Sequence, residues 1–401
     1  MPQRPIAARS SRPTAAAALT AVVALLVVAA CSSSSGGRAA APRGPGGQGI
    51  APTTIATTAT PATGSTLDAT RCARATPAAC PLKVAAARAG ITIGTAGKFS
   101  STAREQLEAQ QFSAMSVESQ TLWSVVQPAP DRWNVRPADQ VVSFARRHHL
   151  MLTATHFVWD PPGIPSVLPG WVRAIHDPEA LRRAMRAYLT ALTTHYGDAI
   201  GRWDTVNEPL ALDGTLADNH FRQVLGPGYV EDAFRMAHRI APHAQLFLNE
   251  WGAELIPAKA DGLVALAARL VREHVPISGV GIQTHLQTGD PNWPLFAATL
   301  RRITALGLTV VISELDLPTQ PGEASPLDAQ AARAAHVVRL CLRTPRCTQI
   351  TFWGFDDGDT WLDSYLHPGT RPLLFDAVLR PKPMFFAVRR ALLDASGPPR
   401  S

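Results

Sequence analysis

The sequence predicts an α/β fold, a closed (β/α)8 TIM barrel built as one domain. Short apolar or β-branched runs recur eight times between residues 91 and 355, and segments with helical periodicity lie between them. Strand and helix alternating in this way over about 300 residues are typical of that barrel. A doubly wound sheet usually has fewer strands and a glycine-rich first turn, which this chain lacks.

Each predicted strand is a short apolar stretch, and most of them end in a polar residue. The strands are predicted at residues 91–96, 112–117, 150–159, 203–207, 245–249, 279–285, 309–314 and 349–355. Helical periodicity occurs at residues 138–148, 178–196, 229–240, 259–274 and 327–343, and a last helix is predicted near 383–393.

The N-terminus has the pattern of an export signal. Three arginines within the first twelve residues precede an apolar run at 15–30, which predicts a secretory signal peptide at residues 1–30. Small residues followed by Cys31 resemble a bacterial lipobox, in which that cysteine becomes the lipidated first residue of the mature protein. The alternative is ordinary cleavage near Ala30, with Cys31 incidental.

A linker and then a nearly neutral domain follow. Residues 31–67 are mostly Ser, Gly, Pro, Ala and Thr, which predicts a disordered linker before the barrel domain at 68–401. Five of the 38 basic residues precede Asp68, the first acid, which leaves 33 basic against 31 acidic residues. This balance argues against a nucleic-acid partner, which needs a concentrated basic face. We expect an exported monomer, lipid-anchored at the cell membrane or extracellular.

Four cysteines remain besides Cys31, and they form two close pairs. Cys72 is near Cys80, and Cys341 is near Cys347. Outside the cytoplasm, such pairs predict local disulfides. A metal site would need CxxC-type spacing, clustered histidines or an HExxH motif, and the sequence has none of these. We therefore expect no metal and no cofactor.

Polar and aromatic residues follow the predicted strands, where the chemistry of a (β/α)8 barrel is carried out. They are Glu118, His156, Trp159, Asp160, Asn207, Glu208, Asn249, Glu250, Trp251, Gln283, His285, Glu314, Asp316, Trp353, Asp356, Asp357 and Trp361. Burying carboxylates at the ends of apolar strands costs on the order of several kcal/mol unless it is compensated. If the ends of the strands served stability alone, they would not need these carboxylates.

This set of residues suits cleavage of a glycosidic bond. One carboxylic acid protonates the leaving oxygen, and a second carboxylate attacks the anomeric carbon or activates water. Tryptophans give flat apolar platforms for sugar rings, and amides bind hydroxyl groups. His285 can hold Glu314 ionised and oriented, and Asp316 shares a strand face with Glu314. The alternatives are structural ion pairs for the acids and core packing for the tryptophans.

Six segments resemble the glycoside hydrolase family 10 xylanases in order and spacing. They are WDTVNE (203–208), LFLNEW (246–251), GVGIQTHL (279–286), VISELDL (311–317), TFWGFDDGDTW (351–361) and PLLFD…PKP (372–383), within a resemblance that covers about residues 91–393. It implies a retaining mechanism, in which the two carboxyl groups lie about 5–5.5 Å apart. It gives Glu208 the general acid/base role and Glu314 the nucleophile role.

The resemblance also implies the residues that bind substrate. They are Glu118, Trp159, Asn207, Trp251, Gln283, His285, Trp353 and Trp361. Asn207 would contact the 2-hydroxyl of the reacting sugar, and Trp251 replaces the tyrosine that the family usually has on the leaving-group side. The pair Cys341 and Cys347 resembles a disulfide common in the family.

The chain departs from the family pattern on the glycone side. An asparagine and a lysine after the second strand are replaced by Ser119 and Leu122, and a histidine after the third strand is replaced by Thr155. His156 is adjacent, but one step along a strand points to the opposite face, so we expect it to substitute only across a bulge. The last histidine of that motif is Asp160.

Three functions are compatible with the sequence. The first is a retaining glycosidase that cleaves internal β-1,4 linkages of xylan or a related β-glycan. The second is a family-10-like hydrolase with a substrate other than xylan, which the residues at positions 119, 122 and 155 favour. The third is a surface lipoprotein that binds glycans without turnover, which both glutamates argue against.

Overall fold

The computed structural model describes residues 72, 75–97, 101–164, 166–287 and 289–395. The predicted signal peptide (1–30), Cys31, the linker (31–67) and the first residues of the barrel domain lie outside the described residues, so these assignments stay predictions. Within the described ranges, no helix combines the length and the apolar character needed to cross a bilayer.

Eight parallel strands form a closed barrel in chain order, with the last strand paired to the first. The predicted (β/α)8 barrel is therefore confirmed. In each strand at most one residue is not buried, because one face fills the barrel and the other meets helices. The strands are β1 (Thr92–Ala96), β2 (Ala114–Val117), β3 (Met151–Ala154), β4 (Arg202–Asn207), β5 (Gln245–Glu250), β6 (Gly279–Ile282), β7 (Thr309–Leu315) and β8 (Cys347–Phe352).

Helices surround the barrel. The longer ones span Leu82–Arg88, Thr102–Gln111, Arg136–Arg147, Pro178–Tyr196, His220–Leu225, Tyr229–Ile240, Pro257–Arg272, Trp293–Ala305, Pro326–Arg343 and Pro383–Asp394. Single turns occur at Trp123–Val126, Gly170–Arg173, Gly197–Ala199, Asp357–Asp359 and Leu362–Tyr365. Four of the longer helices begin with proline, whose missing N–H group would have no partner inside the helix at that position.

Most predicted elements agree with the structure to within two or three residues, but β3 is much shorter than predicted. The prediction runs from 150 to 159, whereas the strand ends at Ala154. The apolar run continues past the strand because Phe157 and Val158 are buried in the core, and their N–H groups bond to carbonyl groups of β4. The run therefore extends past β3 into a buried segment that makes an isolated parallel bridge with β4, from Val158 to Val206.

Both predicted disulfides are present. The Cα atoms of Cys72 and Cys80 are 5.4 Å apart, and those of Cys341 and Cys347 are 5.3 Å apart. The second disulfide joins the end of helix Pro326–Arg343 to the start of β8, so it lies at the opposite end of the barrel from the C-terminal rim. Both pairs therefore support the scaffold.

Candidate active site

The C-terminal ends of the strands surround a cavity of about 390 Å³. Asn207 and Asp316 lie directly behind its wall, each hydrogen-bonded to a lining residue. Trp251 is not among the described residues that line the cavity, and the ammonium group of Lys259 lies 3.8 Å from its ring centroid. The predicted site residues that do line the cavity are Glu118, Trp159, Glu208, Gln283, His285, Glu314, Trp353 and Trp361.

Glu208 follows β4 in a left-handed backbone conformation, with φ of 52°. Such a conformation costs a non-glycine residue on the order of 1 kcal/mol or more, and it is concentrated at functional sites. The Glu208 N–H donates to the carbonyl of Asn249 at 2.9 Å. Its Oε1 accepts hydrogen bonds from Asn207 Nδ2 at 3.1 Å and from Gln283 Nε2 at 3.0 Å. Its Oε2 is buried and has no hydrogen-bond partner within the part of the chain that the structure describes.

Glu314 lies near the end of β7, and both of its oxygens are engaged. Oε1 accepts a hydrogen bond from Asn249 Nδ2 at 2.6 Å, and Oε2 lies 3.3 Å from His285 Nε2. Burial raises the pKa of Glu314, the hydrogen bond and charge of His285 oppose this rise, and the charge of Glu208 reinforces it. The two glutamates therefore face one cavity in different surroundings.

His285 bridges Glu314 and Asp316. Its Nδ1 is 2.9 Å from Asp316 Oδ2, and the same oxygen accepts a hydrogen bond from Trp361 Nε1 at 2.8 Å. Burial disfavours the imidazolium, but the charge of Asp316 and the hydrogen bonds with both acids outweigh it and raise the pKa of His285 to about 10. His285 is therefore protonated at neutral pH, and each ring N–H is directed at a carboxylate.

Two amide side chains connect the glutamates. Asn249 Nδ2 donates to Asn207 Oδ1 at 2.8 Å as well as to Glu314, and Asn207 donates in turn to Glu208. The hydroxyl of Ser313 donates to Asn249 Oδ1 at 2.7 Å, which fixes the acceptor end of that amide. The carboxyl groups are therefore positioned relative to each other through a continuous hydrogen-bonded path.

Asn249 is the main site residue that the sequence reasoning left without a role. It is fully buried on β5. Gly281 on the adjacent β6 leaves the space that its amide occupies, because a Cβ atom there would lie 2.2 Å from Asn249 Oδ1. The sequence locates Asn249 through the pair Asn249-Glu250 at the end of a predicted strand. The role of Asn249, however, depends on Gly281 in the neighbouring strand.

Further buried acids lie close to the site. Burial raises the pKa of Asp204 on β4 to about 8, and the charge of Glu314 adds to this effect. Burial raises the pKa of Glu254 to about 7. It also raises the pKa of Glu250 to about 7, although Lys259 Nζ lies 2.7 Å away and opposes the shift. Burial therefore favours the neutral form of each of these acids beside the glutamates.

Aromatic rings surround His285 on the cavity wall. The centroid of its ring lies 5.2 Å from that of Trp361 and 6.4 Å from that of Trp353. The two indoles give the flat apolar surfaces that sugar binding needs, and the hydrogen bond from Trp361 to Asp316 couples one of them to the histidine.

The loop after β8 carries Trp361 and three nearby aspartates. Arg104 lies 3.4 Å from Asp356 and 3.2 Å from Asp359, and Lys382 lies 2.8 Å from Asp357. These ion pairs anchor the loop to the helices behind it. Across the described ranges, no group of three or more His, Cys, Asp or Glu side chains is placed to hold a metal ion.

The side of the cavity after β2 and β3 differs from the expectation at one residue. The hydroxyl of Thr155 donates to backbone carbonyls at the end of β2 and is buried. His156 lines the cavity, contrary to the expectation that it points to the opposite face. Because β3 ends at Ala154, the alternation of strand side chains no longer applies there. Ser119 and Leu122 also line the cavity.

Comparison with known proteins places this chain in a family. The sequence model of glycosyl hydrolase family 10 matches residues 81–391. An endo-1,4-beta-xylanase A from Humicola insolens is 30% identical over 304 residues, covering 75% of this chain and 80% of the relative. An endo-1,4-beta-xylanase B from Thermotoga neapolitana is 29% identical over 321 residues, covering 78% of this chain and 91% of the relative.

Solved structures agree with this match. The native xylanase 10B from Thermotoga maritima is similar with a TM-score of 0.73 at 29% identity, covering 79% of this chain and 99% of that one. The xylanase 10B from Thermotoga petrophila, solved in complex with xylobiose, gives the same TM-score and identity and is 98% covered. The chain therefore belongs to glycosyl hydrolase family 10 and is a glycosidase.

Proposed function

We propose that this chain is a retaining hydrolase of internal β-1,4 linkages in xylan or a related β-glycan, with Glu208 as general acid/base and Glu314 as nucleophile. The observation that carries the proposal is the contrast between the two carboxyl groups. Both oxygens of Glu314 are held by donors, whereas Oε2 of Glu208 has no hydrogen-bond partner among the described residues. A nucleophile must be ionised and oriented, and an acid/base needs an oxygen available to the substrate.

The reaction takes place in two steps. In the first, Glu314 attacks the anomeric carbon and forms a glycosyl ester, while Glu208 gives its proton to the departing glycosidic oxygen. In the second, Glu208 takes a proton from water, which attacks the anomeric carbon and releases Glu314 as a carboxylate. The protonated His285 stabilises the charge of Glu314 before the attack and after its release.

The substrate contacts follow from the position of each side chain. Trp353 and Trp361 flank the reacting sugar. The side-chain amides of Asn207 and Gln283 already donate hydrogen bonds to Glu208. A sugar hydroxyl bound to those amides would therefore be coupled to the acid/base. Glu118 and Trp159 contact the substrate from the β2 and β3 side, and Trp251 can do so only beyond the cavity, towards the leaving group.

The stereochemistry of the product tests the mechanism. Hydrolysis of an aryl β-xylobioside followed by proton NMR should show the β-anomer of the released sugar first, with the α-anomer appearing later by mutarotation. Initial release of the α-anomer would mean inversion and would reject Glu314 as a nucleophile.

A second candidate function is hydrolysis of a β-glycan other than xylan. Ser119 and Leu122 favour it, because both line the cavity where the resemblance places an amide and a lysine. A panel of aryl β-xyloside, β-glucoside, β-cellobioside and β-xylobioside decides between the two. Higher kcat/KM on the xylose substrates supports the first function, and higher kcat/KM on the glucose substrates supports the second.

We also propose that the protein is exported, anchored by a lipid on Cys31 and tethered by residues 31–67, and that it acts as a monomer. The sequence pattern supports the anchor, and the two disulfides favour an oxidising compartment. Radiolabelled palmitate should be incorporated into the wild-type protein in a bacterial host and lost in Cys31→Ser. Retention of the label in that variant would reject Cys31 as the lipidation site. Light scattering of the barrel domain alone would test whether it is a monomer.

A further inference from the structure

The residues after β2 and β3 form what we call the glycone wall, made of Leu122, His156 and Trp159. All three line the cavity. Leu122 packs with Ile164 and Val167, and Trp159 packs against the same apolar cluster. The wall is therefore apolar apart from the imidazole of His156 and the indole N–H of Trp159.

The imidazole of His156 has no hydrogen bond to any described residue. The side chain is 6% exposed, and its Nδ1 is enclosed without a partner. Its close ring contact is with Trp159, edge to face, with 4.8 Å between the centroids. A buried polar group without a partner loses stability, so a ligand that offers a hydrogen bond would be favoured here.

The chemistry of the wall points to an uncharged ligand group. Burial lowers the pKa of His156 to about 3, so the imidazole is neutral and offers one donor and one acceptor. Among the described residues that line the cavity there is no lysine or arginine, whereas Glu118, Asp359 and Asp363 do line it. An anionic sugar would therefore find no lysine or arginine among the described lining residues, and the imidazolium of His285 is already held between Glu314 and Asp316.

We propose that His156 is a specificity-determining sugar contact on the glycone side of the cavity, and that the sugar unit it contacts is uncharged. The inference rests on the proposed function, since it takes the glycone to lie on the β2 and β3 side. Thr155 cannot supply this contact, because its hydroxyl donates to backbone carbonyls at the end of β2. The contact has therefore moved by one residue from the position that the family pattern gives to a histidine.

A binding experiment tests the contact without depending on turnover. In a Glu314→Gln background, calorimetry compares xylotetraose with analogues that lack single hydroxyl groups. We expect His156→Phe to weaken xylotetraose binding about tenfold, which corresponds to the loss of one hydrogen bond. The loss should vanish for the analogue that lacks the contacted hydroxyl, and His156→Gln, which keeps a neutral donor and acceptor, should restore most of the binding.

Controls separate a contact from a structural effect. His238→Phe alters an exposed histidine on helix Tyr229–Ile240 and should leave binding unchanged. Thermal unfolding identifies variants that fold poorly, and His156→Met replaces His156→Phe if the latter unfolds below the assay temperature. Equal weakening for all analogues, or no weakening, would overturn the role of His156.

A separate binding measurement tests the proposal that the contacted sugar is uncharged. A tetrasaccharide with a uronic acid on the glycone side should bind at least tenfold more weakly than xylotetraose, and equal binding would overturn that part of the inference. If the wild-type protein turns over no glycan while the effect of His156→Phe on binding persists, the proposed function fails and the contact stands.

Discussion

The two halves of the cavity are built in opposite ways. In the half formed by β4 to β7, which we call the catalytic half, Asn207, Glu208, Asn249, Glu314 and their neighbours are joined by hydrogen bonds into one network. In the half formed by β2 and β3, which contains the glycone wall and which we call the glycone half, Leu122 is apolar and His156 has no hydrogen bond to the described residues. The donors that orient Glu208 and Glu314 are therefore in place without substrate, whereas the polar atoms of the glycone wall are left for the proposed sugar contact.

This difference separates chemistry from recognition. Electrostatic groups that act in the transition state must be preorganised, so a change in the catalytic half costs rate. A recognition surface can change its partners while the chemistry stays intact. The departures from the family pattern at positions 119, 122 and 155 lie in the glycone half, as this division would require.

The largest effect is expected at the centre of the catalytic half. Glu314→Ala should lower kcat by on the order of 10⁴-fold or more on every substrate, because no glycosyl ester can form. Glu208→Ala should lower kcat/KM, which reports the first step, by about 10²–10⁴-fold for a sugar leaving group but far less for dinitrophenolate, which needs no proton. Steady-state kinetics with both substrates measure this. Glu179→Ala, which alters an exposed acid on helix Pro178–Tyr196, is the control. An equal loss of kcat/KM on both substrates in Glu208→Ala would reject its acid role.

A smaller loss of kcat is expected when the amide path, the hydrogen bonds through Asn207 and Asn249, is disturbed while both glutamates are kept. Gly281→Ala places a Cβ atom 2.2 Å from Asn249 Oδ1, so the amide must move away from Glu314. Loss of a hydrogen bond to a charged group predicts about 10–100-fold lower kcat. Gly201→Ala, where an added Cβ meets nothing within 4 Å, is the matched control. Full activity in Gly281→Ala would show that the path does not position the nucleophile.

The contact between His285 and Glu314, the proposed nucleophile, predicts a change in pH dependence. The protonated His285 opposes the rise in the pKa of Glu314 that burial causes, so His285→Gln should raise that pKa further. Activity requires ionised Glu314 and is lost as the pH falls through its pKa. The acid limb of kcat/KM should therefore move to higher pH by roughly one unit, with His336→Gln as an exposed control. An unchanged limb, or a shift to lower pH, would contradict the pairing.

The smallest effect is expected in the glycone half. Ser119→Asn combined with Leu122→Lys should raise kcat/KM on xylotetraose by up to about tenfold, because both positions line the cavity. Adding Thr155→His should give no further gain and should lower the melting temperature, because Thr155 is buried. No gain in kcat/KM from Ser119→Asn combined with Leu122→Lys would favour a substrate other than xylan. A gain from adding Thr155→His would show that position 155 can reach the substrate.

Much of the catalytic half could be predicted from sequence because its signals are local. An apolar run that ends in Asn207-Glu208, or one that ends in Glu314 followed by Asp316, identifies both the strand and the polar residue at its end. The barrel rule then brings those ends together. The pairing of His285 with both acids follows from the same reasoning.

The glycone half and the amide path could not be predicted, because they depend on tertiary context. The direction of His156 depends on where β3 ends, and the buried Phe157 and Val158 make the strand look longer than it is. The role of Asn249 depends on Gly281 in the neighbouring strand. Similarly, nothing in the sequence around Trp251 shows that Lys259 covers its ring.

The assignment of the two glutamates is tested most directly by trapping the covalent intermediate. The wild-type protein is incubated with a dinitrophenyl 2-deoxy-2-fluoro-β-xylobioside, digested and analysed by mass spectrometry. We expect one added fluoroglycosyl group on the peptide that contains Glu314, and none in Glu314→Ala. A label on Glu208 or on another residue, or turnover of the unsubstituted substrate with no label at all, would contradict the assignment.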